Sequence, residues 1–213
     1  MSEKNYVITI NRQVGSGGKY LGTKLAERLN YLYLDHEIVK EAANDLETFV
    51  ENLEDCDEKQ SSIWSSLLAY SAFAGFEYVP PVEIVSESEA HKAQSNFITK
   101  IANEKSAVII GRCGSYILRN HPRHVSIFLN ADIEFRKNRI AIEHKMSERE
   151  ALHFIEKVDK ERAKYFKSLT GEDVYNICGY DLTINTGKIG FDDSLELIID
   201  YLKRRFKDEY DNK

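Results

Sequence analysis

The residues with the clearest chemical signature are "NRQVGSGGKY", positions 11–20. They lie between an apolar, β-branched run, "YVITI", and a helical pattern, "LGTKLAERL". Gly15, Ser16, Gly17 and Gly18 with Lys19 behind them can present a concave row of backbone N–H groups at a helix N-terminus. Glycine lets the main chain approach an anion, the helix dipole favours negative charge, and a lysine reaches the outer oxygens of a phosphate chain. The spacing fits G-x-x-x-x-G-K followed by Ser or Thr, with two departures. Gln13 stands at the first glycine, and Tyr20 stands where a hydroxyl would hold Mg²⁺. Thr23 and Asp35 are candidates to hold the metal through water, and Arg12 at the loop mouth offers a second cation. A glycine turn without a ligand has the same composition. The strand before, the helix after and the lysine offset favour phosphate binding.

Phosphoryl transfer is largely positioning and charge neutralisation, so arginines on several loops are the second thing to look for. Arg112 comes one residue after the run "AVII" and lies between Gly111 and Gly114 with Cys113, where a buried strand would end. Arg136 and Arg139 are three apart on one helical pattern, and Asp159 and Arg162 are three apart on another, with Lys164 and Tyr165 close by. A helical arginine taken singly is more readily a solvated surface charge; Arg112 stands apart because of the strand before it. The six histidines show no metal-ligand spacing and none is assigned a catalytic role. Three cysteines, Cys56, Cys113 and Cys178, without C-x-x-C spacing support neither a disulfide framework nor a zinc site.

The elements that must position these groups follow from periodicity. Short apolar runs predict strands at 6–11, 31–34, 107–110, 125–129 and 182–185. They are apolar on successive residues, as strands buried on both faces are, and alternate with helices, which predicts a parallel α/β sheet. The stretch between the second and third strands carries no strand signal. It holds the acidic "ENLEDCDE", the aromatic-rich "SSIWSSLLAYSAFAGF", a break at Pro80–Pro81 and a helix over about 86–103. That is too long for a simple crossover and reads as a helical insertion. Its aromatic stripe is better explained as core than as a stacking platform. "SERE" supplies a capping box, Ser147 with Glu150, for a long helix to about residue 167, which Gly171 ends. The last strand leads into an amphipathic helix over about 192–206.

At 213 residues, 42% hydrophobic and 30% charged, the chain has the composition of one globular domain. A net charge of −6 argues against a broad basic face for nucleic acid. There is no apolar run of membrane-spanning length, and "MSEKN" lacks a secretory profile, so a cytoplasmic protein without membrane or nucleic-acid partners is expected. An apolar face on the inserted helices offers a dimer contact without requiring one.

Taken together the chain resembles the cytidylate kinase-like branch of the nucleoside monophosphate kinases. The segments that carry the likeness are "ITINRQVGSGGKYLGTKLAERL", "YLDHEIV", "VIIGRCGSYIL", "VSIFLNADIEFRKNRI", "DKERAKYF" and "YDLTINTGKIGFDDSLELI", in family order. The resemblance implies a P-loop NTPase fold: a five-stranded parallel sheet flanked by helices, a helical acceptor-binding insertion (45–105) and a lid (147–171) within one 1–213 domain. It implies transfer of the γ-phosphoryl of Mg·ATP to a small phosphorylated acceptor, CMP or dCMP first. Residue by residue, Arg12, Gly15, Ser16, Gly17, Gly18, Lys19 and Tyr20 form the ATP phosphate site. Asp35, Arg112, Arg136 and Arg139 serve the acceptor, and Lys19, Arg112, Asp159 and Arg162 are the catalytic set. Two departures stand out: "GRC" where cytidylate kinases read "GRD", and Ile155–Glu156 where their lid opens with Arg-Asp. A different acceptor, or a nucleotide-binding regulator without turnover, are the alternative expectations.

Overall fold

The computed structural model describes residues 5–35 and 87–207. Five strands form one all-parallel sheet: β1 (Val7–Arg12), β2 (Leu32–Leu34), β3 (Ala107–Ile110), β4 (His124–Asn130) and β5 (Leu182–Asn185), in the spatial order β2-β3-β1-β4-β5. All five lie where the apolar runs predict them, with end points shifted by a residue at most. The helices are α1 (Gly18–Leu29), α2 (Glu87–Glu104), α3 (Gly114–Ile117), α4 (Ile133–His144), α5 (Glu148–Thr170), α6 (Thr186–Ile189) and α7 (Phe191–Arg205). Of the helical insertion expected over 45–105, only α2 falls among the described residues; the acidic and aromatic stretches and Pro80–Pro81 lie outside them.

Side chains alternate across the sheet, and each face has its own cover. Ile8, Ile10, Val108, Ile110, Val125, Ile127 and Leu129 point to the side closed by α1 and α7 through Leu21, Leu25, Ile198 and Leu202. Val7, Ala107 and Ile109 point to the other side, where Phe97, Ile98 and Ile101 of α2 close it. Complete burial of Leu21 and Leu25 is worth about 1.5–3 kcal/mol each, and it fixes α1, and so the loop before it, against the sheet. The registers Ile10↔Ile110 and Arg12↔Leu129 bring the carboxyl ends of β1, β3 and β4 to one edge. The chain leaves β1 toward β2 on one side and β4 toward β5 on the other. Their carboxyl edge is thus the point where connections diverge, the usual ligand crevice of such sheets.

The capping box is present in full. Ser147 Oγ accepts from the Glu150 N–H, Glu150 accepts from the Ser147 N–H, and α5 runs on for 23 residues. Gly171 closes it in the left-handed conformation at φ 75°. No helix among the described residues is long and apolar enough to cross a membrane.

Candidate functional site

The glycine loop leaves β1 and turns through two left-handed residues, Gly15 (φ 81°) and Gly17 (φ 83°), before α1 begins at Gly18. Gly17 is the N-cap, and its carbonyl accepts from the Leu21 N–H at 2.9 Å. The loop is held from beneath. Ser16 is fully buried; its Oγ donates to the Gln13 carbonyl (2.8 Å), with the Leu129 carbonyl 3.1 Å away. Thr186, also fully buried at the start of α6, donates to the Ser16 carbonyl at 2.9 Å. Sequence reasoning marked "NTGKI" as a segment but passed over Thr186. A lone threonine carries no signal until the fold brings it 170 residues back to the loop.

A second brace comes from α4 and α5. Asp159 Oδ1 accepts from the Val14 N–H (2.8 Å), and Oδ2 pairs with Arg136 Nη1 at 2.6 Å. Arg136 also donates from Nε to the Ala131 carbonyl (3.0 Å) and from Nη1 to the Val14 carbonyl (3.3 Å). The geometry therefore differs from what the resemblance implies for this arginine. Arg136 is buried under the loop with its donors turned to main-chain carbonyls and Asp159, not to the acceptor side. Arg139, also expected at the acceptor, pairs with Glu143 (3.5 Å) and lies 4.5 Å over the Phe191 ring. Phe191 packs against Gly17 and faces Tyr20 and Phe135 at ring-centroid distances of 5.5 and 6.0 Å, making an aromatic patch beside the loop. Tyr20 and Lys19 are exposed on the first turn of α1. Ile155 is buried against Val14, Ile140 and Ala151, so the position where related lids carry an arginine here packs under the loop.

The opposite side of the crevice is built differently. After β3, Gly111, Arg112 and Cys113 all take positive φ (72°, 52° and 55°). Consecutive left-handed non-glycine residues store strain, which persists where surrounding structure overdetermines it and clusters at functional sites. The turn aims Arg112 at α2, where Nη2 donates to Gln94 Oε1, and sets its guanidinium 5.1 Å over the Tyr165 ring of α5. Its Nε is buried with no hydrogen-bond partner among the described residues, and so is Nη1 of Arg162, one turn before Tyr165. Arg12 reaches the same place: its Nη1 abuts Gly111, and it feels Arg162 and, with opposite sign, Asp35 and Asp159. Burial, and then Arg162, push Arg12 down to about 9, while burial lowers Arg112 and Arg162. Asp35 follows β2 at this edge, where it acts on Arg12 and on Tyr33, whose phenol is pushed up to about 12 mainly by burial.

Cys113 points away from the crevice. It is buried among Phe128, Phe166 and Val174, and burial pushes its thiol up to about 11. Gln94 and His91 of α2 escaped the sequence reading. Gln94 is buried against Arg112, and His91 is lowered first by burial and then by Arg112. Their only sequence signal was membership of a helix with no visible task. Among the described residues no group of three or more His, Cys, Asp or Glu is arranged to hold a metal ion.

A crevice between a glycine loop and arginines with buried guanidinium nitrogens unpartnered among the described residues, on a five-stranded parallel sheet, fits the geometry of P-loop kinases. The model of the cytidylate kinase-like family matches residues 7–188, which include every group described above except Phe191. The chain belongs to the cytidylate kinase-like family. It is 25% identical over 197 residues to a cytidylate kinase of Saccharolobus islandicus, covering 92% of this chain and 90% of that one. Among solved structures it resembles an uncharacterized protein from Eubacterium ventriosum, with TM-score 0.71, 26% identity, and coverage of 93% and 99% of the two chains. It also shares its fold with a gluconokinase from Sinorhizobium meliloti, with TM-score 0.51, 11% identity, and coverage of 98% and 97%. Membership of this kinase family supports phosphotransferase chemistry and the use of ATP, with Mg²⁺ as its usual companion. The loop's buried cradle and the unpaired guanidinium N–H groups fit a chain of phosphates.

Proposed function

We propose that this protein transfers the γ-phosphoryl group of ATP to a nucleoside monophosphate, with CMP or dCMP as the first acceptors to try. ATP supplies the activated phosphoryl group and Mg²⁺ the charge that offsets its oxygens. The chain's part is to bind, align and neutralise. The amides of Gly15, Gly17 and Gly18 cradle the donor phosphates at the positive end of α1. Arg112 grips the acceptor phosphate, and Arg162, on the lid helix α5, spans donor and acceptor. Asp159 and Arg136 keep the loop in register. No general base is required, because an acceptor phosphate is already nucleophilic.

The observation that carries this reading is the pair of buried guanidinium nitrogens, Arg112 Nε and Arg162 Nη1, that have no hydrogen-bond partner among the described residues. A buried donor left unpaired costs about 1–3 kcal/mol, more when charged, so two such groups beside a third arginine favour an anionic ligand. The test is ADP release from Mg·ATP across CMP, dCMP, UMP, AMP, GMP and a set of hydroxylated metabolites, with Arg112→Ala alongside. Release with CMP or dCMP that falls by about 10²–10³ in the variant is the expected result. ATP binding with no release for any acceptor would favour a regulator without turnover.

A second reading keeps the reaction and changes the acceptor. It is favoured by Cys113, whose side chain is buried in an apolar cluster at the position where cytidylate kinases carry an aspartate. An alcohol as acceptor would need a base, and Asp35 is the carboxylate at that edge.

A further inference from the structure

In the folded loop the cation departs from the place that its spelling leads one to expect. A phosphate loop ends in a glycine that turns left-handed into the helix, and the lysine that follows, first in the helix, leans back over the phosphates because helical side chains tilt toward the N-terminus. Here the residue that makes this turn is Gly17, and α1 begins at Gly18. The place for the lysine side chain therefore belongs to a glycine, and Lys19 is one position further on, exposed on the first turn.

The space in front of Gly18 is filled from another element. A Cβ on Gly18 would lie 2.7 Å from Arg12 Cγ and 3.2 Å from both Arg12 Cβ and Cδ. Arg12 is the last residue of β1 and shares the face of Ile8 and Ile10, the face that α1 covers. Its stem crosses the missing side chain of Gly18, and its guanidinium ends against Gly111, where a Cβ would meet Nη1 and stand 3.5 Å from Cζ. Two glycines on two elements thus leave open the path that one arginine takes. That path ends against Gly111, beside Arg112 in sequence and close enough to Arg162 to feel its charge.

Resting on the phosphotransferase reading above, we infer that Arg12 takes over the task of the loop lysine, binding the outer phosphates of the donor nucleotide, and that Lys19 does not. A guanidinium offers a planar fork of donors where an ammonium offers a point charge, so it can hold two oxygens at once.

The test is calorimetric binding of Mg·ATP, without acceptor, to the wild type, Arg12→Gln, Lys19→Gln, and the pair of variants Arg12→Gly and Arg12→Gly/Gly18→Lys. The inference expects Arg12→Gln to weaken binding by roughly 30-fold or more, and Lys19→Gln to weaken it by less than about fivefold. The double variant, which rebuilds the ordinary lysine position in the space that Arg12 vacates, should recover at least tenfold over Arg12→Gly. Such recovery is not something a structural role for Arg12 would produce. Thermal melts accompany each variant, and Arg12→Lys replaces Arg12→Gln if the latter does not fold. A larger loss in Lys19→Gln than in Arg12→Gln, or no recovery in the double variant, overturns the inference while the kinase reading stands. Failure of the wild type to bind Mg·ATP overturns both.

Discussion

The two sides of the crevice contrast in how their polar groups are satisfied. On the loop side the groups that brace the loop are answered by the protein: Ser16 by Gln13, Thr186 by Ser16, Val14 by Asp159, and Arg136 by Asp159 and two carbonyls. On the β3 side the main chain is held in three successive left-handed residues, and buried guanidinium nitrogens lack partners among the described residues. One side is braced from beneath by the protein's own side chains, with the loop amides left for a ligand. The other carries strain and unmet charge, which an anionic ligand would relieve. A rigid donor site facing an electrostatically unfinished acceptor edge is a sensible division for an enzyme that must hold one substrate in register and close over a second.

The contrast is broken most severely by Asp159→Ala. It leaves Arg136 buried without its carboxylate and Val14 without an acceptor, and a buried pair cut on one side costs about 3–5 kcal/mol. Urea unfolding should show that loss, and Mg·ATP affinity should fall with it; unchanged stability would mean the loop is not braced from α5. On the other side, Cys113→Asp asks whether the family's aspartate can simply be restored. Its carboxyl would enter the cluster of Phe128, Phe166 and Val174, so we expect a loss of about 2–3 kcal/mol and no gain in turnover with CMP. A stable variant with improved CMP turnover would mean that the side chain at this position can reach the acceptor.

A smaller effect lies at the far edge of the sheet and serves as a control for both sides. His124, whose Nε2 is 2.7 Å from Thr9 Oγ1, is pushed down to about 4 by burial, despite Asp181 nearby. Unfolding would return it to its usual value near 6.5 and let it take up a proton, so its contribution is intact above about 6.5 and is lost as pH falls toward 4. That amounts to about 2 kcal/mol by pH 5, and a wild type minus His124→Gln difference in unfolding free energy should carry this slope. A flat difference would show that the ring is already charged in the fold. The smallest effect is Thr186→Val, which removes the hydroxyl that donates to the Ser16 carbonyl. We expect about 1 kcal/mol in stability and a change in Mg·ATP affinity of no more than a few-fold.

What the sequence determined by itself was whatever depends on neighbours along the chain. Strand positions followed from successive apolar residues, the start of α5 from Ser147 and Glu150, its end from Gly171, and the loop from its glycines. Each is a local preference, and the fold agrees with it. What only the tertiary structure decided was direction and partnership across long separations. Arg136 reads as a helix-face arginine, yet α5 packs so as to turn it under the loop onto Asp159, 23 residues away. Cys113 sits beside Arg112 in sequence, but the left-handed turn sends the two side chains to opposite environments, one into an apolar cluster and one to Gln94. Most telling is the loop register. "GSGGK" contains two adjacent glycines, either of which could close the turn, because each is free to take positive φ. Packing of α1 on the sheet assigned that role to Gly17, and so placed Gly18, rather than Lys19, opposite the stem of Arg12.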